Sequence, residues 1–138
     1  MPDGANCPSL ILENCRVHQP HYLLSLLNSK LIDYQLRSIC PPKLGGYTRF
    51  SSSYITKAPI RIVNFSQSGE SRKHDRVADL VDGMLSLHKR KAACKTNHER
   101  TALERRIDAS DRQVEALVYE LYGLSDEEIR IVEEATAR

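Results

Sequence analysis

Two apolar runs in the second half of the chain constrain its fold most. Val77, Leu80, Met84 and Leu87 are spaced 3-4-3, with Val81 and His88 on the flank. Leu103, Ile107, Ser110, Val114, Leu117 and Leu121 are spaced 4-3-4-3-4. Threes alternating with fours put each set on one stripe of an α-helix, in the seam pattern of a coiled coil interrupted by one serine. The turn between them falls within 91–99, through Lys95-Thr96-Asn97. Two amphipathic helices joined by a short polar turn fold back as an antiparallel hairpin. Gly123 stands where a helix C-terminus favours a glycine. Ser125 and Glu128 have capping-box spacing, which opens a short last helix carrying Ile129 and Val132.

Residues 21–39 also read as a helix. Leu23, Leu27, Leu31 and Tyr34 form a stripe that Leu24, Ile32, Leu36 and Ile39 widen, so the helix is largely buried. Pro41 and Pro42 stop it. Asn28 and Ser29 fall mid-helix, where their side chains bond nearby backbone. Ile60-Arg61-Ile62-Val63-Asn64-Phe65 alternates like a strand. Ser9-Leu10-Ile11-Leu12 is a second candidate strand between irregular, proline-flanked segments. Residues 66–73 are polar and read as a linker. The expected fold is therefore α+β. A small mixed body over 1–66 is followed over 67–138 by the helical hairpin and a short C-terminal helix.

The stretch Gly45 to Ile60 interleaves aromatic, hydroxyl and cationic residues without one carboxylate. Gly45 and Gly46 permit positive φ and close approach to another molecule. Tyr47, Thr48, Arg49, Ser51, Tyr54 and Lys57 all carry groups that donate to phosphate or to base edges. Lys43, Lys57 and Arg61 suit phosphates, and Arg49 suits a guanine edge. A wet loop running into an edge strand accounts for the same residues without a ligand.

Charge is unevenly distributed. The chain of 138 residues has a net charge of only +2, but residues 1–98 carry 14 Lys/Arg against 7 Asp/Glu, and residues 99–138 carry 6 against 11. A basic front and an acidic tail point to a polyanionic partner at the front. His88-Lys89-Arg90-Lys91 is a further basic cluster, which a helix C-terminus favours through its dipole. No apolar run approaches the ~20 residues that span a bilayer, and the N-terminus lacks signal-peptide layout. A cytoplasmic location is expected, with Cys7, Cys15, Cys40 and Cys94 as free thiols.

Signatures of catalysis are missing. Cys15, His18 and His21, with Cys7 as a fourth, make a poor zinc set because Pro20 interrupts them. No glycine-rich turn offers a nucleotide-cofactor site.

Leu26-Leu27-Asn28-Ser29-Lys30-Leu31-Ile32, then Gly45-Gly46, Arg49-Phe50 and Pro59-Ile60, resembles the TaqI-like C-terminal specificity domain of type IIG restriction–modification enzymes and adenine-N6 DNA methyltransferases. Leu117-Val118-Tyr119-Glu120-Leu121-Tyr122-Gly123-Leu124, then Asp126-Glu127-Glu128-Ile129, resembles the last residues of the same enzymes. The resemblance covers roughly residues 20–136. It implies sequence-specific recognition of double-stranded DNA by the body, with the hairpin as a spacer or docking arm. That family holds a flipped adenine with an amide and an aromatic flanking a proline pair, which Cys40-Pro41-Pro42-Lys43 lacks, so no catalysis by this chain alone is expected. S-adenosylmethionine, and Mg for cleavage, would bind domains outside this sequence, in a fused or separate catalytic chain; opening at Met1 without preceding strands is the expected mark of a truncated or split chain. Two other readings stand beside it: a helical-hairpin protein-interaction module, and an inactive gene fragment.

Overall fold

The computed structural model describes residues 19–45, 47–48 and 51–137, without the side chains of residues 19, 43, 47 and 48. Six helices dominate the described residues: α1 (Gln19–Leu27), α2 (Lys30–Ile39), α3 (Ser52–Ile55), α4 (Ser68–Ala93), α5 (Asn97–Tyr122) and α6 (Asp126–Thr136). The strands among the described residues are β1 (Pro42–Lys43) and β2 (Tyr47–Thr48), paired antiparallel with Pro42 opposite Thr48 and Lys43 opposite Tyr47. The candidate strand and zinc ligands at residues 7–18 lie outside the described residues.

The hairpin forms as its spacing dictates. α4 and α5 make the most extensive helix pair, and the turn is Cys94-Lys95-Thr96. Thr96 caps α5 by accepting from the Glu99 N–H, and Gly123 ends it in the left-handed region at φ 65. The Ser125–Glu128 capping box closes in both directions. α1 packs on α4 and α2 on α6. The main core holds Leu26, Ile32 and Val63 with Val77, Val118 and Val132, so it is continuous across residues 66–67.

The α+β expectation is overturned. Residues 60–65 form no strand, because side chains rather than a neighbouring strand take their backbone groups. Tyr122 takes the Arg61 N–H, Tyr22 takes the Arg61 carbonyl and Glu70 takes the Asn64 N–H. The alternation fails accordingly: Ile62 is 89% exposed while Val63 is buried. Residues 52–55 form one helical turn, and the expected linker 66–73 contributes the start of α4. The single helix expected over 21–39 is two. Asn28 Nδ2 donates to the Leu24 carbonyl, and Ser29 Oγ donates to the Leu26 carbonyl while accepting from the Ile32 N–H. These local bonds end α1 and cap α2.

Candidate nucleic-acid interface

The loop carrying the sequence-predicted contacts starts where Pro41 and Pro42 stop α2. Leu44 and Gly45 form a turn, Gly45 at φ 91, and the β1–β2 pair brings Lys43 beside Tyr47. A side chain at φ 91 would be strained, so the turn needs glycine there. Gly46 and Arg49 lie outside the described residues, and the side chains of Lys43, Tyr47 and Thr48 are likewise outside them. Ser51 precedes α3 and its hydroxyl lies 3.1 Å from that of Ser53. Tyr54 packs against the core, and Lys57 Nζ sits 5.5 Å from its ring centroid, within cation–π reach.

The loop's return segment is anchored on three sides at Arg61. The Tyr122 hydroxyl donates to the Pro59 carbonyl at 2.5 Å and accepts the Arg61 N–H at 2.9 Å. The Tyr22 hydroxyl donates to the Arg61 carbonyl at 3.0 Å. The Arg61 guanidinium reaches Glu70 Oε1 at 2.6 Å, and Glu70 Oε2 accepts the Asn64 N–H at 2.8 Å. Glu70 stands in the first turn of α4, where a carboxylate is favoured by the dipole. The Asn64 N–H, ahead of the guanidinium, holds its pKa below the usual carboxylate range. Burial, then the neighbouring Tyr122, pushes the Tyr22 phenol up to about 12, so it stays a donor. Arg61 is thus a structural tie as well as a surface cation.

Beneath the tie lies His74, 1% exposed, its ring 4.9 Å from Tyr22 and 5.0 Å from Phe65 between centroids. Its Nδ1 lies 3.1 Å from the Asp75 carboxylate.

A second polar site joins α2 to α5. Glu115 is buried, and its two oxygens lie 3.1 and 3.3 Å from the Lys30 N–H at the start of α2. Asp111, Tyr119 and Glu133 line the same cleft, with Lys30 at its edge. Burial raises the Glu115 pKa to about 7, with Asp111 and Glu133 adding to the rise and the Lys30 N–H opposing it. This carboxylate caps a helix and latches it to its neighbour.

The anchoring residues escaped sequence reasoning. Tyr22, Glu70, Glu115 and Tyr122 are ordinary by type. Tyr22 and Tyr122 meet the loop 39 and 61 positions away, and Glu115 meets Lys30 85 positions away. Among the described residues, no cluster of metal-ligating side chains forms and no helix is long and apolar enough to cross a membrane. Against known proteins, the chain matches no family model, no curated protein and no solved structure.

Proposed function

We propose that this chain is the DNA-contacting C-terminal module of an adenine-specific DNA methyltransferase or type IIG restriction–modification enzyme. One observation carries the reading: the sequence pieces that bear the resemblance interlock. Tyr122, from the piece ending Tyr-Gly-Leu, clamps Pro59 and the residue after Ile60. Lys30, from the Leu-Leu-Asn-Ser-Lys-Leu piece, is capped by Glu115, two residues before the Leu117 piece begins. Ser125 and Glu128 cap the helix that ends the pattern. These pieces serve as joints that hold the loop 43–61 on a helical frame. Base reading then belongs to Arg49, Tyr47 and Thr48, and phosphate contact to Lys43 and Lys57. The methyl donor and the cleavage metal belong to the catalytic domains.

The test is binding to duplexes of varied sequence, with and without the cognate catalytic chain. Arg49→Ala should cost about 1–3 kcal/mol on the preferred duplex and relax preference at one base position. Lys57→Ala should weaken all duplexes alike. No loss from either substitution favours the second reading, a helical-hairpin interaction module. That reading draws on the pairing of Arg61 with Glu70, which occupies one of the loop's cations.

A further inference from the structure

The hairpin concentrates charge at its turn. Residues 88–106 hold seven Lys/Arg (Lys89, Arg90, Lys91, Lys95, Arg100, Arg105 and Arg106) against two glutamates, Glu99 and Glu104. The rest of the chain carries 13 Lys/Arg against 16 Asp/Glu. Lys91 pairs with Glu104 at 3.0 Å. The other six cations are exposed and make no ion pair among the described residues. The tip is also slender. Among the described residues, its apolar contacts form a separate cluster of Leu87, Leu103 and Ile107 with Met84 and Cys94, drawn from α4, α5 and their turn.

The helix dipole does not account for this charge. It favours Arg90 and Lys91 at the end of α4. It opposes Arg100, in the first turn of α5, and Arg105 and Arg106 lie beyond its reach. Like charges held together without internal partners are relieved by an external polyanion.

We propose that the hairpin tip docks against the phosphate backbone of double-stranded DNA. This rests on the DNA-binding reading above and adds a surface remote from the loop. The partner's class follows from the tip's composition and width. Its exposed uncharged residues include Ala92, Ala93, Asn97, Thr101 and Ala102, with no large apolar side chain to enter a lipid layer. Two helices packed side by side are about 20 Å across, too broad for a major groove about 12 Å wide. Contact is therefore with phosphates and carries no base preference. Tyr122 and the turn stand at opposite ends of α5, 26 residues and about 39 Å apart. That separation is close to one B-DNA turn of about 34–36 Å.

The experiment measures affinity of the full chain for a labelled 30-bp duplex and for scrambled duplexes across a salt series. The variant Lys89→Ala/Arg90→Ala/Arg105→Ala/Arg106→Ala should weaken binding about 100-fold or more on every duplex at low salt. Its salt slope should fall by about 3–4. Glu99→Gln, which removes a negative charge without disturbing a core contact, should tighten binding several-fold. Circular dichroism checks the helices of each variant. Unchanged affinity and slope in both variants overturn the tip proposal and leave the loop reading standing. Tip-dependent binding that is equal on all duplexes, and unaffected by Arg49→Ala, keeps the tip and removes target recognition. A wild-type chain that binds no duplex at low salt overturns both.

Discussion

The Tyr122 hydroxyl accepts a hydrogen bond at 2.9 Å from the backbone N–H of Arg61, 61 positions earlier in the chain. The same hydroxyl donates to the Pro59 carbonyl, so one side chain satisfies two backbone groups of a segment without a ladder. Tyr122→Phe removes both bonds and keeps the ring. The expected cost is about 1–2 kcal/mol, because the freed groups are exposed enough to be rehydrated. A shift in urea midpoint measures it, and an unchanged midpoint would show the bridge to be energetically idle.

Core truncations should rank by burial. Leu26 is 0% exposed, whereas Leu117 is half-buried on the hairpin's flank. Leu26→Ala should cost about 2–5 kcal/mol, and Leu117→Ala should fall at or below the low end of that range. Equal costs in chemical denaturation would contradict the packing.

Glu115 gives stability a pH dependence of definite sign. Its pKa is raised from 4.5 to about 7, so the folded state holds the proton more tightly than the unfolded chain. This stabilisation is fully present below pH 4.5 and is lost as pH rises through about 7. The effect is at most about 3 kcal/mol, and screening in the open cleft reduces it. Lys30, Asp111, Tyr119 and Glu133 surround the carboxylate, and their charges set the remainder. Glu115→Gln should therefore be more stable than wild type at pH 8 and lack the decline between pH 5 and 7. Parallel wild-type and variant curves would refute the assignment.

Gly123 should resist replacement for conformational reasons alone. A Cβ there meets nothing within 4 Å, but the backbone sits at φ 65. Gly123→Ala should cost about 1–2 kcal/mol, and Gly123→Asn less, since Asn tolerates the left-handed region. Thermal unfolding of both variants checks the order.

The hairpin was legible in the sequence because each of its signals is local. The 3-4 spacing of Leu103 through Leu121, the glycine at 123 and the Ser125–Glu128 pair are each read from residues close along the chain. The body was not legible, because its conformation is set at long range. Residues 60–65 carry β-like alternation, yet their backbone is claimed by Tyr22, Glu70 and Tyr122. At Asn28-Ser29 the local bonding was readable, but not that it would divide the helix. The charge pattern was half legible. Lys89 to Lys95 and Arg100 to Arg106 lie on either side of residue 98, where the basic front was divided from the acidic tail. Only the fold brings them together, and the loop's candidate contacts gain an anchor at Arg61 that sequence alone does not reveal.

The three-sided tie at Arg61 also makes the hairpin a lever. One end is fastened to the loop through Tyr122 and Glu70, and among the described residues the far end packs its apolar side chains only within α4, α5 and their turn. A rotation of about 5° at the fastened end sweeps the turn, about 39 Å away, through about 3 Å. A small rotation at the loop's anchor is thus magnified, at the far end, to the length of a hydrogen bond.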